Sequence, residues 1–201
     1  MALAALAHVA IVATLFAGPR PVFWRLHNDT VHRAGPGADF YGLYHAAWNM
    51  AHGASPYDLH PDPVTPYFYP FRYLPIVAEA GRPLLLVPPA TAHRIWIVAD
   101  EAILLALVLV LARRFPGRGL RSFAIVTLLL SSPFFLELYM GQFTFAAIAL
   151  AAIGLLVPWG APVYAAGSVL KVVPMLAAPA LVRHRRTWPH LVLGGLGVIV
   201  L

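Results

Sequence analysis

From Ala102 to Leu201 this chain carries a single acidic residue, Glu137, among apolar runs separated by short arginine clusters. No other feature constrains the fold as strongly. A hundred residues with one acid offer little to a water-facing surface. In lipid, unpaired backbone N–H and C=O groups find no partner, so a crossing segment must satisfy its own, as a helix does. Composition agrees: 60% of residues are hydrophobic and 11% charged, whereas soluble domains carry about 25% charged residues. The expected fold class is all-α, a polytopic transmembrane helical bundle. The 201 residues have room for about six membrane segments of about 20 residues each.

The net charge of +6 does not point to nucleic acid. Arg113, Arg114, Arg118 and Arg121 form one cluster, and Arg183, Arg185 and Arg186 another, each at the end of an apolar run. That is how cytoplasmic loops look under the positive-inside rule. The absence of cysteine excludes disulfides and thiolate metal sites.

Leu3 to Ala17 reads as the first transmembrane helix. No Lys or Arg precedes it, and Gly18-Pro-Arg-Pro is a poor cleavage site, which argues against a signal peptide. Residues 18–70 form a long loop rich in Pro, Gly, His and Tyr. Within it, residues 39–52 are expected to form an amphipathic helix, with Phe40, Leu43, Tyr44, Ala47 and Ala51 on one stripe and Gly53 as its stop. Such a helix is expected to lie on the membrane surface. Arg20, Arg25 and Arg33 weaken the charge argument for placing this loop outside the cell.

Residues 73–201 are read as further transmembrane or re-entrant segments. Tyr73 to Pro89 is interrupted by Pro75, Gly81, Pro83, Pro88 and Pro89, so it is a kinked span or a re-entrant segment. Glu79 and Arg82, three residues apart, are expected to pair on one helix. Ala92 to Ala112 reads as a helix with Asp100 and Glu101 near its middle. Acids there are costly, so they should face a cavity or partners such as His93 and Arg94. Ser122–Leu138 and Phe143–Val157 follow, joined through Glu137-Leu-Tyr-Met-Gly-Gln142. Val163–Val182 holds Lys171 and Pro174. Leu191–Leu201 is too short to span, so the chain reads as an N-terminal fragment, 1–201 forming one domain truncated at its C-terminus.

The polar residues embedded in this apolar frame are the candidates for chemistry. Asp39 opens the aromatic stretch Phe40-Tyr-Gly-Leu-Tyr-His-Ala-Ala-Trp. Aspartate is a favoured helix N-cap, and a carboxylate held in one orientation is also what a general base requires. Both roles can coexist. Lys171 is the only lysine. It either snorkels to the interface, neutralises a buried partner, or binds a lipid-linked phosphate, with Pro174 freeing backbone groups beside it. Gln142 can meet a sugar hydroxyl or another helix. His45 and His52 read as a polar interfacial face. Asp58, His60 and Asp62 could chelate a metal, but Pro61 and Pro63 favour a turn, and no convincing metal site emerges.

In this order and spacing the pieces resemble glycosyltransferase family 87, polytopic enzymes of the GT-C fold that use polyprenyl-phosphate sugars. The first-loop pattern D-x-x-x-x-Y, small residues, then G-x-x-P-Y is matched by Asp39, Tyr44, Ala46, Ala47, Gly53, Pro56 and Tyr57. Phe71, Tyr73, Pro75, Pro83 and Trp96 match the next pattern. A proline before a Gly-Gln pair (Pro133, Gly141, Gln142) and K-x-x-P (Lys171, Pro174) complete the series. Leu74 stands where a second proline is common, Thr144 where Asn is common, and Glu79 and Arg82 replace apolar residues.

The resemblance implies a multi-pass cell-membrane enzyme whose first loop is extracytoplasmic. It would transfer a hexose, with mannose expected, from a polyprenyl phosphate to a lipid or glycan hydroxyl, with inversion. It implies Asp39 as general base, Tyr44, Tyr57, Tyr73, Gln142 and Lys171 as substrate-binding residues, and no metal or other cofactor. A transporter or lipid flippase is the competing reading, motivated by Asp100, Glu101, Lys171 and the proline-broken helices. A non-catalytic assembly subunit is a third.

Overall fold

The computed structural model describes residues 1–17, 34–60 and 64–199. Arg20, Arg25, Arg33 and Asp62 lie outside them. Among the described residues every regular element is helical.

Two stretches are long and apolar enough to cross a membrane. Helix α4, Pro89–Arg114, rises about 1.5 Å per residue and so reaches about 39 Å. Its inner stripe is Ala92, His93, Ile97, Asp100, Leu104 and Leu107. Its other side leaves Ile95, Val98, Leu105 and Leu109 exposed. A helix apolar all round belongs in a buried core or in lipid, and this one is largely uncovered by protein. The second stretch is Arg118–Met140, built from α5 (Arg118–Leu129) and α6 (Ser132–Met140). The seam falls at Leu130 and Ser131, where the Ser131 hydroxyl accepts the Phe134 N–H at 3.3 Å and Pro133 opens the next helix. Helix α1, Ala2–Ala17, leans on both through His8. Its Nδ1 donates to the Leu129 carbonyl at 2.7 Å, and its Nε2 lies 2.9 Å from Glu101 Oε2. Glu101 therefore pairs with α1, not with His93 or Arg94 about two turns away on its own helix.

Helix α2, Ala38–Ala51, corrects two expectations. It starts one residue before Asp39, with Gly37 in the cap position at φ 73°. Asp39 therefore lies inside the first turn and is not the cap. A carboxylate there still faces the positive end of the helix dipole. Nor does α2 lie on a surface. Most of it is buried, from Ala38 through Asn49. The broken segment after it supplies the cover: α3 (Pro75–Gly81) and the 3₁₀ turn Arg82–Leu86 pack along one side. Those twelve residues are too short to cross about 30 Å of hydrocarbon. Glu79 and Arg82 pair there at 2.7 Å, as expected.

Helix α7 (Thr144–Leu156) packs closely on α8 (Ala161–Leu170). A Cβ on Gly167 would come within 2.4 Å of the Ala147 carbonyl, the backbone approach that small residues permit between membrane helices. The apolar run 163–182 is not one helix. It stops at Leu170, Lys171 is extended (φ −154°, ψ 133°), and a 3₁₀ turn at Val173–Ala177 leads into α9 (Ala178–Val182). Helix α10, Trp188–Ile199, then packs back on α8.

Candidate active site

Four helix breaks converge on one region: the start of α2, the segment before α3, the α6–α7 turn and the end of α8. Asp39 comes from the first. Tyr73 comes from the second, held there because Pro75 prevents α3 from starting earlier. The Tyr73 hydroxyl donates a long hydrogen bond, 3.5 Å, to Asp39 Oδ1. Asp39 Oδ2 is buried without a well-formed hydrogen bond. Burial pushes the Asp39 carboxyl above the usual carboxylate range. The Gln142 side chain, then the Lys171 and Arg72 charges and Tyr73, pull it part of the way back. Burial also raises the Tyr73 phenol, helped by the Asp39 and Glu137 charges. Tyr73 therefore stays protonated and acts as a donor.

The third break is the turn Gly141-Gln142-Phe143. Gly141 has φ 66°, and a Cβ there would sit 2.5 Å from Phe40 Cβ. Only glycine lets this turn approach α2 so closely. Gln142 is half-buried beside Asp39, and the Phe143 ring meets Tyr73 edge-on at 4.8 Å between centroids. The fourth break carries Lys171. Its ammonium donates to Thr144 Oγ1 and lies 5.8 Å from the centre of the Tyr73 ring.

A cavity of about 450 Å³ opens beside these groups, lined by Tyr57, Arg72, Tyr73, Leu170, Lys171 and Val172 among others. Tyr57 spans its edge, donating to the Tyr73 carbonyl at 2.8 Å. Arg72 is exposed, with its guanidinium 5.9 Å from the Tyr69 ring centre. The cavity thus has two cations on its wall, and Asp39 stands behind Tyr73. Such a site can stabilise an anion on one side and take up a proton on the other.

The structure brings Asp39, Tyr57, Tyr73, Gln142 and Lys171 together. It does not bring Tyr44, which is buried on the far side of α2 with its hydroxyl donating to the Val87 carbonyl at 2.9 Å. His45 is buried and within 3.0 Å of Asn49, while His52 is exposed on Trp48, so the two do not form one polar face. Asp58 Oδ1 accepts the His60 N–H at 3.0 Å and lies 2.6 Å from His60 Nδ1. That is a closed turn, and among the described residues no group of side chains suits a metal ion. Asp100 lies inside the bundle, 1% exposed, with no hydrogen-bond partner among the described residues.

Sequence reasoning gave no role to Arg72, Glu137 or Thr144. Arg72 occupies the variable position of F-x-Y. Glu137 was visible as the only acid in a hundred residues, and that isolation was the available signal.

The model of glycosyltransferase family 87 matches residues 68–201, well over half of the chain. The chain belongs to glycosyltransferase family 87. No curated protein and no solved structure matches it. The family segment contains Arg72, Tyr73, Glu137, Gln142 and Lys171, whereas Asp39, Tyr44 and Tyr57 precede it. Asp39 joins this family 87 segment through space, by its contact with Tyr73 and the influence of Gln142. Membership makes the protein a glycosyltransferase, and its two long apolar helices are those of a membrane protein.

Proposed function

We propose that this family 87 enzyme transfers a hexose, mannose in the first instance, from a polyprenyl phosphate to a hydroxyl of a lipid or glycan, with inversion at the anomeric carbon. It would do so as a multi-pass GT-C-type bundle whose first loop is extracytoplasmic. The observation that carries the reading is the juxtaposition of a desolvated carboxylate with a two-cation cavity across the Tyr73 ring. In this mechanism Asp39 accepts the proton of the attacking hydroxyl. The oxygen bonds to the anomeric carbon as the bond to the phosphate oxygen breaks. Lys171 and Arg72 stabilise the charge gathering on the departing phosphate, which is the larger electrostatic demand. Tyr73 donates to Asp39, Gln142 stands beside it, and Tyr57 closes the cavity edge. A base with an ordinary pKa of about 4 is far weaker than an alkoxide, so the proton moves late, and desolvation of Asp39 makes it the stronger base.

The test is transfer of labelled sugar from a polyprenyl-phosphate donor in membranes, comparing the full-length enzyme with Asp39→Asn. General-base assistance is worth roughly 10²–10⁴-fold, so turnover should fall at least that far. The sign of the stability change also follows. Because folding raises the Asp39 pKa, the ionised carboxylate costs stability, and the cost develops as pH rises above its unfolded value of 3.8. Asp39→Asn should therefore be no less stable than wild type at pH 7, with the difference gone at lower pH. Near-normal turnover in this variant would remove Asp39 from the chemistry. A transporter or flippase would move lipid without transferring label.

A further inference from the structure

We infer that Glu137 is the positioning residue of this active site, acting through the α6–α7 turn. This rests on the glycosyltransfer reading above for its kinetic consequence, but its structural basis stands apart. Glu137 sits one turn from the end of α6. Its backbone carbonyl accepts the N–H of Gly141 and, at 3.0 Å, that of Gln142. Its side chain reaches across the turn. Oε2 accepts the Phe145 N–H at 2.5 Å. The first N–H groups of any helix lack intrahelical partners. The residue in the cap position of α7 is Phe143, whose side chain cannot supply one. Glu137 caps α7 from the preceding helix instead.

One residue therefore clamps both ends of the segment Gly141 to Phe145. Three successive side chains of that segment each serve a different part of the site. Gln142 stands beside Asp39 and draws its carboxyl down, Phe143 supports the Tyr73 ring, and Thr144 holds the Lys171 ammonium. The base, its donor and the cation are thus set relative to one another by a single carboxylate that lines no part of the cavity. The requirement is for a hydrogen-bond acceptor of this length, so glutamine should largely replace it and alanine should not.

The experiment compares Glu137→Ala and Glu137→Gln in the full-length protein by two readouts. The first is hydrogen–deuterium exchange of the segment around Thr144 and Phe145, which needs no activity. Exchange there should rise in Glu137→Ala and stay near wild type in Glu137→Gln, with α4 unchanged in both. The second is labelled-sugar transfer per folded molecule. Glu137→Ala should lower kcat roughly 10²-fold, the scale of a 1 Å misplacement of reacting groups, with donor KM changed far less, and Glu137→Gln should restore most of it. Should the alanine variant fail to fold, Glu137→Asp, whose carboxylate stops one methylene short, reads the same quantities. Wild-type exchange in Glu137→Ala, or equal loss of protection in Ala and Gln variants, overturns the cap. Full kcat with lost protection overturns the positioning role. If the wild type itself transfers no sugar while the exchange pattern holds, the glycosyltransfer reading fails and the cap stands.

Discussion

Gly141→Ala is the sharpest single perturbation of this fold, because two independent costs meet at one atom. The residue sits at φ 66°, ψ 39°, where a Cβ crowds its own carbonyl, at about 1–2 kcal/mol. The added carbon would also lie 2.5 Å from Phe40 Cβ. Phe40 is fully buried, and a Cβ cannot swing aside as a side-chain end can. One of the two backbones has to move, and overpacking of this kind costs about 1–3 kcal/mol. The total is about 2–5 kcal/mol, or about 4–20 °C in the unfolding midpoint for a chain of this size. Relief of the clash also pushes α2, and Asp39 with it, away from Gln142, so transfer should fall further than the folded fraction does. The assay is the apparent midpoint at one fixed scan rate in detergent, since such unfolding seldom reverses. Gly117→Ala is the control, at φ −74° with nothing within 4 Å of the new carbon. A Gly141→Ala midpoint within about 1 °C of that control would refute the reasoning.

Lys171→Met removes a charged hydrogen-bond donor worth about 1.5–3 kcal/mol and should raise donor KM roughly 10–100-fold, with Lys171→Arg retaining part of the function because charge persists while geometry changes; an unchanged KM in a folded Met variant rules out phosphate binding. Single cysteines at Ser55 and Gly117, both exposed in a chain with no cysteine of its own, should be labelled by an impermeant reagent on intact cells at 55 and not at 117, and the opposite pattern inverts the proposed orientation.

Much of this was legible in the sequence because membrane helices report themselves through run length and charge. The apolar run Ala92–Ala112 announced the helix that extends over Pro89–Arg114, and the three-residue spacing of Glu79 and Arg82 announced their pairing. The partner of Glu101 did not. His8 is 93 residues away in sequence, and no periodicity links positions on different helices. Asp39 misled as a cap because a favoured cap residue stood two positions past a glycine that took the cap instead. Of the stripe expected on α2, Phe40, Leu43, Tyr44 and Ala47 are buried and Ala51 is exposed, while Tyr41, His45 and Ala46 off the stripe are buried too, because a stripe cannot say how much protein covers a helix. Here the proline-broken segment folds back and covers the helix. Tyr44 matched a motif position, yet its place on the helix turns it from Tyr73 toward Val87, a consequence of helical phase that a linear pattern does not carry.

The residues that converge on the cavity share one property, which is that none of them lies in the middle of a long helix. Tyr73 precedes Pro75, Gln142 follows Gly141, Lys171 precedes Pro174, and Asp39 stands in the turn after Gly37. A regular helix in lipid keeps its backbone groups to itself and offers only side chains at fixed angles. Irregular backbone at that depth is tolerated only where protein or a water-filled cavity receives it. Glycine and proline that break apolar runs therefore mark where a polar cavity is permitted, and a lone charge beside such a break has somewhere to point. Asp100 is the counter-example that sharpens the rule. It too is an acid in an apolar run, but it sits mid-helix in α4 beside Glu101 with no break next to it, and it is 1% exposed. A charge in an apolar run thus does not by itself mark a cavity. A helix break beside the charge gives it somewhere to point, as Lys171 has at the end of α8, and Glu137 stands one turn before the break at Gly141.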